Sequence, residues 1–228
     1  MSVVLLDREM YSEPEAARLL NVAPSTLHYW LDGKPGRDGK LYKPVIRDEP
    51  RGRGAAVTWA EFVEAGLLRE YRRELKVPLP ELRAFIDLLR EGFGVPYPLA
   101  DRRPYASGRA LVMEAQEASG LPGDFWLVTF ADKQLLLTPP SDSFLRRARW
   151  HDDIATGWRP HDDPDSPVLI DPALRFGRPA IKGISTEAIR EQADDGAADA
   201  EIAETFGITP GDVAWALAYE KPPRLNIA

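Results

Sequence analysis

Two stretches of this chain share one local pattern, and together they narrow the folds open to it. "SEPEAARLLNVAPSTLHYW" (12–30) and "EIAETFGITPGDVAWAL" (201–217) each predict two short helices around a tight corner. Such a unit needs a small residue inside the first helix, a residue tolerant of positive φ at the bend, and apolar residues locking the helices together. The first copy supplies Ala17, Leu20, Asn21, Val22, Leu27 and Trp30; the second supplies Ala203, Phe206, Gly207, Ile208, Val213 and Ala216. A corner that reads DNA and one that only builds a core obey the same packing rules, so the outward positions must separate them.

In the first copy Ser25, Thr26, His28 and Tyr29 are expected to face outward, all able to donate to phosphates or base edges and none of them anionic. Its second helix lacks a polar N-cap, because Ala23 stands where Ser or Thr is usual. The second copy is capped by Thr209 and Pro210, but Asp212 lies in its first turn, with Asp199, Glu201 and Glu204 nearby. A carboxylate there repels a phosphate. Charge divides the same way. The chain has 36 acidic and 29 basic residues. Residues 1–76 hold 13 basic against 12 acidic, and 165–228 hold 6 against 11. Lys43, Arg47, Arg51 and Arg53 cluster just after the first copy, in what reads as a two-stranded wing made of "LYKPVIR" and "AAVTW" around "DEPRGRG". The expected DNA contacts are therefore Ser25, Thr26, His28, Tyr29, Lys43, Arg47, Arg51 and Arg53.

Along the rest of the chain, Ser12 with Glu15 and Thr58 with Glu61 form capping boxes that open helices, the latter running Trp59 to Leu75. "PLPELRAFIDLLREGF" predicts another helix, and the proline-rich 94–108 a linker or extended edge. "RALVMEA", "DFWLVTF" and "KQLLLT" read as short apolar or alternating runs, the last two as a hairpin. After Val168 a short strand and helices near 186–195, 199–206 and 210–219 are expected. The fold class is thus α+β: an N-terminal winged helix-turn-helix domain (1–93), a small central β region (94–164), and a C-terminal three-helix, helix-turn-helix-like domain with its tail (165–228).

Little points to catalysis. There are no cysteines, which removes disulfides, thiolate metal sites and thiol nucleophiles. "GRPAIKGIST" lacks the Gly-Lys-Ser/Thr order of a phosphate loop, because Lys182 precedes Gly183. The two His-Asp-Asp runs, at His151 and His161, read as turn residues rather than metal ligands. No enzyme activity, cofactor or metal is expected. No apolar run approaches the roughly 18 residues needed to cross a bilayer, and no signal peptide is apparent, so a cytoplasmic protein is expected.

"YSEPEAARLLNVAPSTLHYW" followed by "VTWAEFVEAGLL" resembles the winged DNA-binding domain of MerR-like regulators over about 75 residues, without their long dimerisation helix. "VLIDPALRFGRPAIKGISTEAIREQADDGAADAEIAETFGITPGDVAWALAYE" resembles domain of unknown function 433 through Ile170-Asp171-Pro172, then Gly177, Pro179, Ile181 and Gly183, then Ala216 and Tyr219. A MerR-like head joined to that domain is similar to VapB-type antitoxins. The resemblance implies a partner, a PIN-domain ribonuclease toxin, and autoregulation through operator DNA, with the chain as a homodimer or a hetero-oligomer with the toxin. It also places toxin contacts at Tyr219, Arg224 and Leu225, where the Arg224 guanidinium can plug a carboxylate-rich cleft. The alternative is a stand-alone MerR-like regulator whose C-terminal domain dimerises or senses a ligand.

Overall fold

In a computed structural model the chain is mixed α+β, as its patterning requires. The structure describes residues 5–35, 41–73, 77–101, 109–121, 123, 126–131, 134–137, 145–161, 163 and 165–221. Backbone contacts group the chain into two compact units, 1–156 and 157–228.

In the first unit, β1 (Glu9–Tyr11) pairs antiparallel with β4 (Val57–Thr58). Helix α1 (Glu13–Leu19) is capped by Ser12, whose hydroxyl accepts from the Glu15 N–H. The chain turns at Asn21 with φ 50°, where the Val22 N–H closes the corner onto the Ala17 carbonyl at 2.9 Å. Helix α2 (Pro24–Asp32) follows and stops at Gly33 with φ 74°. A Cβ on Gly33 would overlap the Tyr42 carbonyl oxygen, so that close approach demands glycine. Strands β2 (Lys34–Pro35) and β3 (Leu41–Tyr42) then pair.

The strand pairing read from the sequence as a wing is not the one observed. "AAVTW" does not pair with "LYKPVIR"; its Val57–Thr58 completes the ribbon with β1, and the hairpin partner of Leu41–Tyr42 is Lys34–Pro35. The tip of that hairpin, with Arg37 and Lys40, lies outside the described residues.

Helix α3 (Trp59–Arg73) opens on the anticipated capping box: Glu61 N–H to Thr58 Oγ1 at 3.3 Å, and Thr58 N–H to Glu61 Oε2 at 2.9 Å. With α4 (Leu79–Phe93) it supplies much of the core, in which Trp59, Phe62, Leu67, Leu68, Tyr71, Phe85 and Leu89 are buried. Two readings need revision beyond it. Of 94–108, read as a linker or extended edge, residues 102–108 lie outside the described residues. Tyr97 to Asp101 are buried rather than a free linker, Asp101 bridges Ile154 antiparallel, and a 3-10 turn (Pro98–Ala100) has its Leu99 N–H donating to Glu64. "RALVMEA" is not extended but opens helix α5 (Arg109–Ser119), with Val112, Ala115 and Gln116 buried at helical spacing. The Gln116 amide ties this helix to the strands after it. It donates to the Val128 carbonyl and accepts from the Leu127 and Val128 N–H groups, fixing the expected hairpin of β5 (Val128–Ala131) and β6 (Gln134–Leu137). Strands β7 (Ala148–His151) and β8 (Ile154–Trp158) turn through Asp152 and Asp153, both at positive φ, so the first His-Asp-Asp run is a hairpin corner.

In the second unit the end of β8 pairs with β9 (Leu169–Ile170), which pairs with β10 (Pro179–Ile181), which pairs with β11 (Ile184–Ser185). The β10–β11 corner is Lys182–Gly183, with φ 50° and 83°, the backbone of a two-residue hairpin turn. Helices α6 (Thr186–Asp194), α7 (Asp199–Phe206) and α8 (Pro210–Glu220) match the anticipated three. They close over a core of Val168, Ile181, Ile189, Ile202, Val213 and Ala216. Among the described residues no helix is long and apolar enough to cross a membrane.

Candidate functional site

In the first unit a groove of about 560 Å³ runs beside the start of α2, lined by Asn21, Ser25, Thr26, Tyr29, Lys34 and Arg72. Two features of local sequence make it receptive to anions. The N-cap Ala23 makes no side-chain hydrogen bond, and the first turn of α2 carries no acid, so the positive end of the helix is uncompensated. Lys34 adds its ammonium, held 4.6 Å above the Tyr29 ring.

The expected contacts divide once their surroundings are seen. Ser25 is exposed, and Thr26 and Tyr29 are half-buried along the groove. Lys43 and Arg53 are exposed, although the Lys43 carbonyl is fixed by Arg83 at 2.9 Å. Arg51 is halfway: its side chain is 43% exposed, yet it lies 3.4 Å from Glu61, and its backbone N–H donates to Asp32. Arg47 is a correction. At 4% exposure its guanidinium is locked to Glu61 through Nε and Nη2 at 2.8 and 3.0 Å, to Asp32 Oδ1 at 2.8 Å, and to the Ala56 carbonyl. Burial alone would lower its pKa, but the two carboxylates hold it above the ordinary arginine value. It is a structural rivet and has no free face for a phosphate. His28 also departs from its expected place. It turns toward α1, with Nδ1 3.1 Å from Glu13 Oε2.

The sequence reading missed Asp32 and Glu61 as partners of these cations. Pairing of Arg47 with carboxylates 15 and 14 residues away follows from the chain's return past α2, and no local spacing encodes it.

In the second unit the presumed repulsive carboxylate is satisfied within the fold. Asp212 accepts from Lys182 Nζ at 2.7 Å and from the Thr209 N–H and hydroxyl, completing the capping box of α8. Those bonds, the Lys182 one foremost, lower its pKa below the usual aspartate value. Tyr219 packs on the core and lies edge-on to His161, 6.2 Å between ring centres, with Trp215 on the same histidine at 5.5 Å. The second His-Asp-Asp run therefore begins in an aromatic wall. Arg224 and Leu225 lie outside the described residues.

One prominent feature of this unit was not anticipated. Between β9 and β10 the backbone passes through Arg175, Phe176 and Gly177 at φ 47°, 54° and 70°, and the Arg175 side chain donates to the Gly183 carbonyl. This turn carries Leu174 outward and leaves Phe176 81% exposed. A bulky aromatic at positive φ is uncommon, and here it faces water.

Comparison with known proteins accords with this division. Residues 168–219 match the family described as "Protein of unknown function (DUF433)", a span that runs from the core residue Val168 to Tyr219. The motif read from the sequence has clear roles there: Gly177 and Gly183 sit at positive φ, Pro179 begins β10, and Ile181 is fully buried. The crystal structure of Rv2018 from Mycobacterium tuberculosis superposes with a TM-score of 0.73 at 25% identity, covering 93% of this chain and 99% of that one. A protein of the same organism named "Putative antitoxin VapB45" is 27% identical over 92% of this chain and 93% of its own length. Another, "Uncharacterized protein Rv2308", is 35% identical, with 99% of this chain and 96% of its own covered. Identity of that order across both full lengths means that this chain belongs to the same family as Rv2308 of Mycobacterium tuberculosis.

Proposed function

We propose that this chain is an antitoxin that binds and neutralises a PIN-domain ribonuclease and represses its own operon by binding operator DNA. The observation that carries the reading is the relative named as an antitoxin, aligned over 92% of this chain. Two surfaces support it. The first is the groove at the uncapped start of α2, where Ser25, Thr26, Tyr29, Lys34 and Arg72 offer donors and positive charge. In this reading α2 is the recognition helix of a MerR-like winged helix-turn-helix, the β2–β3 hairpin is its wing, and Lys43, Arg51 and Arg53 add phosphate contacts. The second is the turn presenting Phe176, an aromatic anchor for a protein partner. Tyr219, Arg224 and Leu225 are the further toxin contacts of this reading, with the Arg224 guanidinium paired to the nuclease carboxylates, and the chain carries out no catalysis of its own. Searching the flanking genes for a PIN-domain nuclease, and co-expressing that nuclease with this chain, tests the claim. The nuclease should co-purify and its growth arrest should be relieved, with Phe176→Asp reducing recovery at least about tenfold, as removal of an interface anchor does. No co-purification and no rescue with the unaltered chain would overturn the antitoxin reading. In gel shifts on the upstream DNA, Lys34→Ala with Arg53→Ala should weaken binding and flatten the log–log salt dependence by about 0.9 for each phosphate no longer neutralised.

A further inference from the structure

The corner between α1 and α2 holds a second constellation that DNA binding does not use. Glu13 begins α1, while His28 and Asp32 stand four residues apart on one face of α2. One ligand atom of each lies within 4.8 Å of the other two. His28 Nδ1 is 3.1 Å from Glu13 Oε2 and 3.7 Å from Asp32 Oδ2. Zinc bonds of about 2.0–2.2 Å set tetrahedral ligand–ligand edges near 3.3 Å, which these two separations bracket. An i, i+4 pair on a helix is a spacing from which two side chains can reach one ion.

The second observation is an orphaned oxygen. Asp32 is 8% exposed, and its Oδ2, turned toward His28, has no hydrogen-bond partner. A single imidazole N–H cannot serve both carboxylates. It points to Glu13, and 3.7 Å is beyond hydrogen-bond reach for Asp32. A buried carboxylate oxygen left unsatisfied forfeits its hydration with nothing in return. Charge tells the same story. Arg47 is shared between Asp32 and Glu61, and Arg51 leans on Glu61, which leaves Glu13 and the inner oxygen of Asp32 facing each other across a histidine. The other oxygen of Asp32, Oδ1, accepts from both Arg47 and the Arg51 N–H, the outer-shell support that aims a ligating carboxylate.

We propose that Glu13, His28 and Asp32 form a binding site for one divalent transition-metal ion, best matched by Zn²⁺, that ties the first residue of α1 to the last turn of α2. Imidazole and carboxylate donors suit such borderline ions, and three protein ligands leave at least one position for water. The half-exposed edge at His28 gives the ion a path in from solvent. Metal binding is measured on the protein alone, so it stands or falls apart from the antitoxin reading.

The full chain, stripped with chelator and titrated with Zn²⁺ against a chromophoric competitor, should bind one ion per chain. His28→Gln and Glu13→Gln should each weaken that binding by about 100-fold or more, at least the loss seen when an outer-shell partner is removed. The double variant His151→Gln, His161→Gln should bind as the parent does. Circular dichroism of each variant checks that helix content is kept, and Glu13, at the start of its helix, can be changed without disturbing the core. The absorption of Co²⁺ in the same site reports four- or five-coordination directly. Absence of a tight site in the parent, or equal affinity in folded His28→Gln and Glu13→Gln, overturns the proposal.

Discussion

Glu64 offers the sharpest test of the packing of α3. Its carboxyl is fully buried; Oε1 accepts from the Leu99 N–H at 2.9 Å, while Oε2 has no hydrogen-bond partner. Burial pushes its pKa up to about 8, with Arg90 and the Leu99 bond offsetting only part of that rise. The folded chain therefore holds this group protonated at neutral pH, whereas the unfolded chain ionises it near 4.5. Because the folded value is raised, the group's contribution is fully present below the unfolded pKa and is lost as pH rises through the folded one. Each unit in that window removes about 1.4 kcal/mol of stability, so raising the pH from 6 to 8 should cost somewhat over about 2 kcal/mol. Glu64→Gln is isosteric, keeps an acceptor for Leu99, and cannot ionise. Its amide leaves a buried N–H₂ in place of Oε2, a cost of about 1–3 kcal/mol, so the variant should start below the parent in acid and overtake it in base. Urea denaturation followed by tryptophan fluorescence at pH 6, 7, 8 and 9 reads the variant's growing advantage over the parent and stays clear of the isoelectric point near 5.1. The difference between the two proteins isolates this one group. If their midpoints shift in parallel across the series, the carboxyl is already ionised in the fold and the reasoning is wrong.

Two further outcomes test the frame around α2. Arg47→Met should destabilise the first unit by about 3–5 kcal/mol, read by urea titration, since it leaves Glu61 and Asp32 buried without their cation; Arg47→Met combined with Asp32→Asn and Glu61→Gln should recover part of that loss. Gly33→Ala combines a positive φ with a Cβ placed on the Tyr42 carbonyl, so its melting temperature should fall by more than the modest change expected of Gly→Ala at an unstrained site.

Much of this fold was legible because its punctuation is local. The N-cap at Ser12, the capping boxes at Thr58 and Thr209, and the bends at Asn21, Gly33 and Gly207 are each decided within four residues, and the helices they bound appear where expected. The failures share a cause. Whether "RALVMEA" is helix or strand depends on what lies under Val112 and Ala115, and the hairpin that the Gln116 amide grips is a partner the local pattern does not contain. Likewise Pro96 and Pro98 look like a linker until Glu64, more than thirty residues earlier, is found accepting from Leu99.

The candidate site shows the same limit more finely. Along α2 successive residues advance by about 100°, so Leu27, Trp30 and Leu31, all buried, define the inward side. Ser25 and Tyr29 then fall nearly opposite it, while Thr26 and His28 fall on opposite flanks, about 90° to 110° from its centre. A flank is solvent or interface according to what is packed beside the helix. On the Thr26 flank the groove stays open, and on the His28 flank α1 brings Glu13 to within hydrogen-bond distance. Arg47 makes the point for charge. A guanidinium counted as part of a basic surface is the counter-ion of two carboxylates that enter the core from α2 and α3. Composition fixes how many charges a segment has. Which of them face outward is set only when distant acids return to meet them, and any surface inferred from a basic run has to be tested cation by cation for such an internal partner.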